Sequence, residues 1–371
     1  MRVQIIDPSA FTPPYDRSLS AALARTGAEV ELVTSRFLYG PVPDADGYTV
    51  TEAFYRRAAR IGRDSRLRLP MKLAEHGLEM LRFRRNPGRA SVRHWQWLTL
   101  PRLDRHLLPK DETPQLLTLH YPLPPPGSRR ALARQRRILE RFEAVVVHTH
   151  DGARRLIEDV GLPHDRVHVV PHGAFDYLTQ LPVEEPLPAE LAAVEGPVVL
   201  FFGLLRPYKG LDVLLEAFRS VSGAELWIAG MPRMPLDPLR EAAAEAAATV
   251  RFVPRFIADP EIPAFFRRAD VVVLPYREIE QSGVLYTALA FGKPIVLSAV
   301  GGFVELADAG AALAVPPGEP APRADATMGL LDGSGERTRL AAPAAAAADG
   351  SYSWDQVAQQ TRELYASLVR A

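Results

Sequence analysis

Arg206 and Lys209 share a short loop in the segment VVLFFGLLRPYKGLDVLLEAF, which begins at Val198. An unbroken apolar run enters this loop, Gly203 opens it, and an amphipathic helix leaves it. Two fixed cations at the carboxyl end of a buried parallel strand stand where open α/β sheets bind ligands. Beside a helix start they suit a phosphate group. A second segment, ADVVVLPYREIEQSGVLYTALAFGKPIVLSAVGGFVE from Ala269 to Glu305, has the same design. It reads as buried strand, polar loop, helix over Ser282 to Phe291, Gly-Lys-Pro break, strand and Gly-Gly loop.

Together the two segments resemble the donor-binding half of retaining glycosyltransferases with the GT-B fold, close to glycosyltransferase family 4 (group 1). The matching pieces begin with Gly203, Arg206, Lys209 and Gly210 in a G-x-x-R-x-x-K-G element and a strand-turn ending in Gly230. They continue with A-D-V-x-V-L-P at Ala269, F-G-K-P-I-V at Phe291, and the run Gly301-Gly302-Phe303-Val304-Glu305. Several ordered elements are more specific than any single glycine pattern. The resemblance implies an α/β chain of two facing Rossmann-like domains with parallel sheets and an interdomain cleft. It implies retaining, metal-independent transfer of a hexose from a nucleoside-diphosphate sugar to an acceptor hydroxyl on a glycan, a lipid-linked molecule or a small molecule. The amino-terminal half would bind the acceptor. The nucleotide sugar is the donor substrate, so no cofactor is expected.

By that resemblance Arg206 and Lys209 stabilise the leaving diphosphate. Backbone donors come from Gln281, Ser282 and Gly283, with Val284 in the first helical turn. Gly230, Arg255, Phe256 and Ile257 stand where relatives hold the base. Relatives carry a pair of Glu residues across this loop and helix. Aligned on Gly292-Lys293-Pro294, the second falls at Thr287 and the first at Ile279, with Glu280 adjacent. Glu280 is the preferred first acid and Glu278 the alternative. A Thr offers one oxygen where a carboxylate offers two, which puts ribose recognition in question and opens a deoxyribose donor.

In the first half, His120 ends the strand-like LLTLH, where relatives place a His beside the transferred sugar. It would orient a sugar hydroxyl or take a proton; a structural His bonded to a carbonyl is the other reading. His148, His150 and His172 also follow strands, and His172 reads as structural. The early loop DPSAFTPPYDRSL has Pro13, Pro14, Tyr15, Asp16 and Arg17 where relatives have Gly-Gly. Asp16 or Arg17 is a candidate acceptor contact, and a proline-stiffened helix start with Ser18 or Asp16 as cap accounts for them equally.

The elements that must position these residues alternate as in a doubly wound sheet. Strands are expected at Arg2–Ile6, Glu29–Thr34, Leu116–Tyr121, Ala144–His148 and Val167–Val170. Helices are expected at Leu19–Arg25, Lys72–Phe83, Arg129–Arg141 and Ala153–Asp159. After Val198 further strands follow at Leu226–Ala229, Val250–Val253, Val271–Leu274, Ile295–Ser298 and Ala312–Val315. Continuous Val/Ile/Leu runs indicate burial on both faces. The expected domains are 1–176 for the acceptor, a linker over 177–197, 198–350 for the donor, and a helix over 351–371 crossing back. The Ala-rich stretch 341–350 reads as a connector or frayed helix.

The chain has 371 residues, 47% apolar and 24% charged, with no net charge and no cysteine. That is a globular composition without disulfides or thiolate metal sites. No metal motif, phosphate-binding G-x-x-x-x-G-K-[ST] loop or dinucleotide fingerprint occurs. The first residues are too short and polar a stretch for a signal peptide, so the cytoplasm is expected. Segment 56–105 holds 14 Lys/Arg against 4 Asp/Glu. Such a block fits either a solvated helical face or contact with an anionic membrane surface, and nucleic acid is not the expected partner. A nucleotide-sugar epimerase of the same fold, or a binding protein that has lost catalysis, are the rival readings.

Overall fold

The computed structural model describes residues 1–61, 65–121, 123–125, 127–279 and 281–370. Contacts divide the chain into two units, Met1–Gly173 with Trp354–Ala371, and Ala174–Ser353.

In the first unit seven strands form one sheet. They are β1 (Arg2–Asp7), β2 (Glu29–Ser35), β3 (Thr49–Phe54), β4 (Val92–Trp95), β5 (Gln115–Thr118), β6 (Ala144–Val147) and β7 (Val167–Val169). Their order is β3-β2-β1-β4-β5-β6-β7 and every pairing is parallel. The order reverses between β1 and β4, so a crevice opens at their carboxyl ends. The second unit repeats this design with β8 (Val198–Phe202), β9 (Glu225–Ala229), β10 (Thr249–Val253), β11 (Val271–Leu274), β12 (Ile295–Ser298) and β13 (Leu313–Val315). Their order is β10-β9-β8-β11-β12-β13, again parallel throughout, with the reversal between β8 and β11. All residues of β8, β11 and β12 are buried. Helices on both faces produce that burial, which is why these strands are nearly pure Val, Leu, Ile and Phe.

Several expectations change. Strands β3 and β4 fall in stretches where none was expected. The first helix starts at Pro13 instead of Leu19 and runs to Arg25, with Thr12 at its N-cap, so neither Asp16 nor Ser18 is the cap. Proline is preorganised for a first helical turn. The segment 177–197, expected as a linker, belongs to the second unit and carries the short helix Ala189–Ala192. The Ala-rich connector lies in a continuous helix, Ser334–Asp349, with Pro343 inside it. The last helix, Trp354–Arg370, docks on the first unit. A Cβ added to Gly173 would lie 2.4 Å from the Trp354 indole, so only glycine admits that ring.

Candidate functional site

In the second unit the chain leaves β8 at Gly203, whose φ is +98°. A Cβ there would meet a Val284 methyl at 2.9 Å and the Lys209 Nζ at 3.0 Å. Gly230, at the end of β9, has φ +146°, and its Cβ would fall 1.9 Å from the Gly203 carbonyl oxygen. Gly210 is left-handed, and its Cβ would fall 2.0 Å from the Pro275 carbonyl oxygen. Three glycines thus let the loops after β8, β9 and β11 close on one another at the switch point. The Leu205 amide donates to the Met231 carbonyl, and the Arg277 amide donates to the Tyr208 carbonyl. An ion pair of Arg277 with Asp212 adds a third tie.

Lys209 is 6% exposed. Its ammonium lies 4.9 Å from the Tyr276 ring centre and 5.9 Å from that of Phe201. Among the described residues no carboxylate pairs with it. Burial pushes its pKa down to about 8, with the Arg206 charge as a smaller contribution in the same direction. Arg206 is exposed on the same loop, also without a pairing carboxylate among the described residues. Two cations without a pairing carboxylate among the described residues stand beside close-packed glycine backbone, an arrangement whose charge and backbone approach can accommodate an anion.

The helix Gly283–Ala290 starts next to them, with Ser282 at its N-cap and Val284 against Gly203. The Ser282 hydroxyl lies 3.3 Å from the Tyr276 hydroxyl. Gly283 and Gln281 are not buried, leaving this helix start open. Thr287 is buried, and its hydroxyl donates to the Gly283 carbonyl at 2.9 Å, so its proton is committed inside the helix. Arg255 is tied to Glu261 and to the Phe256 carbonyl at 3.0 Å, and Ile257 is core. Glu280 lies outside the described residues; Glu278 is exposed beside it.

The first unit assembles a different centre. His94, His120, His148 and His172 come from β4 and the ends of β5, β6 and β7. The Tyr15 ring lies 4.8 Å from His120 and His172, 5.4 Å from His148 and 5.2 Å from Trp354. Burial pushes His94 down to about 3 and His148 to about 4, and holds His120 and His172 well below the ordinary imidazole range. All four rings are therefore neutral at physiological pH. His148 Nδ1 donates to the Val170 carbonyl at 2.9 Å, and its Nε2 lies 3.3 Å from His120 Nδ1. That contact needs one donor, which is then His120 Nδ1. The atom placed 2.9 Å from His120 Nε2 is Gln96 Oε1, which cannot donate; with the Gln96 amide turned over, its otherwise partnerless nitrogen donates to His120 Nε2. Both nitrogens of His120 are thus engaged within the protein, which disfavours its imidazole as a proton acceptor.

Two further groups left no sign in the sequence. The Asp7 carboxylate, at the end of β1, accepts the amides of Ser9, Phe11 and Thr12 at 3.1, 2.5 and 3.1 Å. The loop that replaces the glycine pair therefore folds around the protein's own anion. Burial and the adjacent Asp7 push the Asp16 carboxyl well above the usual range. Asp16 is thus the buried proton-bearing partner of Asp7. The second group is Tyr55, His76 and Asp104. His76 lies 2.7 Å from the Tyr55 hydroxyl and 2.5 Å from Asp104 Oδ1.

A family model described as Glycosyltransferase Family 4 matches residues 17–174, and one described as Glycosyl transferases group 1 matches residues 196–333. The D-inositol 3-phosphate glycosyltransferase of Xylanimonas cellulosilytica is 29% identical, with 96% of this chain and 91% of the relative aligned. A GDP-mannose:glycolipid 4-beta-D-mannosyltransferase of Xanthomonas campestris is 32% identical over 34% of this chain and 35% of its own length. Among solved structures, the sucrose-phosphate synthase of Thermosynechococcus elongatus superposes with a TM-score of 0.75 at 20% identity, covering 100% of this chain and 99% of its own. Anabaena HepE in complex with UDP-glucose gives 0.70 at 19% identity, covering 99% and 100%.

Proposed function

Since the chain belongs to the group 1 glycosyltransferases with the GT-B fold, we propose that it transfers a hexose from a nucleoside-diphosphate sugar to an acceptor hydroxyl, with retention and without a metal ion. The observation that carries this reading is the buried Lys209 ammonium beside Gly203, without a carboxylate partner among the described residues, with Arg206 on the same loop. As the sugar–oxygen bond breaks, negative charge grows on the diphosphate. Fixed cations aimed at that charge lower the barrier, and they supply what a divalent ion would otherwise supply. Open amides at the start of the Ser282 helix add to the same field. HepE, which shares the fold, binds UDP-glucose, and the donor proposed here is of that chemical class.

Retention fits a reaction in which the leaving phosphate itself takes the acceptor proton. A neutral His120 with both nitrogens engaged favours that route over an imidazole base. We read His120 as a positioning residue, with Glu280 as the preferred first acid and Glu278 as its alternative. The base would lie near Gly230, Arg255 and Phe256.

The basic stretch 56–105 is read as contact with an anionic membrane from the cytoplasmic side. Helix Arg68–Arg85 supports this with Leu69, Leu73 and Leu78 at least half exposed among its arginines. Among the described residues no helix is long and apolar enough to cross a membrane.

Incubation with UDP-, GDP-, ADP- and dTDP-sugars in EDTA, followed by proton NMR of the released or transferred sugar, tests the reading. An α-linked product or an α-configured free sugar from an α-linked donor is expected. Inversion, or activity only after adding Mg²⁺, would overturn it.

A further inference from the structure

Resting on the transfer reading above, we infer that Tyr276 is the positioning residue of the diphosphate site. Its ring seats the Lys209 ammonium, and its hydroxyl draws the Ser282 hydroxyl away from the helix that serine would cap.

Ser282 occupies the N-cap of the helix Gly283–Ala290, where a serine oxygen ordinarily accepts a first-turn amide. Here the side chain accepts none. Its backbone carbonyl takes the Leu285 amide at 2.9 Å, and among the described residues the Gly283 and Val284 amides have no acceptor. The hydroxyl lies instead 3.3 Å from that of Tyr276. Tyr276 is fully buried, and among the described residues Ser282 is the one hydrogen-bond partner of its hydroxyl. Burial pushes this phenol up against the smaller opposing effect of Ser282, so it keeps its proton. A buried phenol proton needs an acceptor, which assigns the donation to Tyr276 and leaves Ser282 Oγ accepting. The Ser282 proton is then free to point out of the pair, at the helix start where two amides lack acceptors.

The backbone on both sides fixes the direction of the phenol. Before it, the Pro275 carbonyl oxygen fills the space that a side chain on Gly210 would need. After it, the Arg277 amide donates to the Tyr208 carbonyl at 2.8 Å. The Arg277 guanidinium donates to the Pro207 carbonyl at 3.0 Å and pairs with Asp212. Phe303 lies 5.4 Å from the Tyr276 ring, and Tyr208 meets it edge-on at 6.0 Å. The Lys209 ammonium lies over this ring, 4.9 Å from its centre, a cation–π seat for a charge without a carboxylate among the described residues. One rigid phenol therefore meets the loop after β8 through Lys209 and the helix start through Ser282. A diphosphate only accepts, and the ammonium, the serine proton and the two amides only donate. A serine in the ordinary cap would consume one of those amides.

The test compares Tyr276→Phe, Ser282→Ala and the double variant with the unmodified chain. UDP, GDP, ADP and dTDP are titrated by calorimetry, and urea unfolding is followed without nucleotide. Phe keeps the ring and removes only the hydroxyl, which frees Ser282 to cap its helix. Affinity for the diphosphate that the unmodified chain binds should fall about fivefold or more in Tyr276→Phe, and as far in Ser282→Ala. The double variant should lose no more than either alone, because Tyr276 acts through Ser282. The unfolding midpoint of Tyr276→Phe should hold or rise, since the gained cap offsets the lost hydroxyl pair. Tyr276→Leu, which removes the ring as well, should move the pH at which affinity falls upward, while Tyr276→Phe leaves it in place. Unchanged affinity in Tyr276→Phe, or additive losses in the double variant, would overturn the inference and leave the transfer reading standing. A joint fall in affinity and unfolding midpoint would make Tyr276 a merely structural residue and overturn it as well. Should Tyr276→Phe not fold, full diphosphate affinity in Ser282→Ala would overturn it. Failure of all four nucleotides to bind the unmodified chain would refute the transfer reading itself, and this inference with it.

Discussion

A methyl group on Gly203 would stand 3.0 Å from the Lys209 ammonium nitrogen and 2.9 Å from a methyl of Val284. The empty space on this glycine is where the buried amine sits. Gly203→Ala must therefore move the amine or the helix start, on top of a φ of +98°. A loss of about 1–3 kcal/mol in stability and at least tenfold in nucleotide affinity is expected. Urea unfolding and nucleotide titration measure both. Gly196→Ala, where nothing lies within 4 Å, should change neither.

The pKa of Lys209, pushed down to about 8, has two opposite consequences. Between pH 8 and 10.5 the unfolded chain holds a proton that the folded chain has released, so this residue makes stability rise with pH. Over the same range the folded protein loses the cation, so donor affinity falls. Bound diphosphate favours the charged amine and moves that fall to higher pH. Comparison with Lys209→Met isolates both effects. A donor affinity that stayed flat from pH 7 to 10 would remove the ammonium from the site.

Thr287 spends its hydroxyl proton on the Gly283 carbonyl. Thr287→Glu would place a carboxylate where relatives carry one, with two oxygens to accept from a ribose. Preference for ribo- over deoxyribonucleotides should rise about tenfold, the worth of one good polar contact. An unchanged ratio in paired titrations would mean that the sugar ring of the nucleotide binds elsewhere.

Strand β4 depends on an asymmetric ion pair. Arg93 is 0% exposed while the side chain of its partner Asp111 is 45% exposed. Asp111→Ala strands a buried guanidinium and should cost about 3 kcal/mol. Arg93→Met leaves the aspartate in water and should cost less. Denaturant unfolding of the two variants decides the order, and the reverse order would show that the charge is satisfied by Gln4 and the Gly88 carbonyl alone.

That strand also explains what the sequence concealed. Strands β8, β11 and β12 are legible because helices cover both faces, and their residues are apolar without interruption. Strand β4 reads VRHW, and its polar members are buried only because distant partners meet them. Arg93 meets Asp111, and His94 lies 2.6 Å from both Thr118 and Tyr365. The edge strand β3 is mostly exposed and has no apolar run to mark it. The donor loop was visible for the opposite reason, since Gly203, Arg206, Lys209 and Gly210 lie within one eight-residue stretch of the chain. The first unit's centre draws on Asp7, Tyr15, Tyr55, His76, Gln96, His120 and Trp354, separations over which no local pattern is preserved. The helix Ser334–Asp349 was obscured by Pro343, which the helix tolerates at the loss of one hydrogen bond.

Titration of UDP, GDP, ADP and dTDP into the unmodified chain and into Arg206→Ala and Lys209→Ala, with EDTA present, tests the central claim most directly. One nucleotide should bind the unmodified protein without metal. Each variant should lose at least tenfold in affinity for it and about 10²-fold in turnover of its sugar. Equal affinity and turnover in Lys209→Ala would contradict the claim that the buried ammonium beside Gly203 holds the leaving diphosphate.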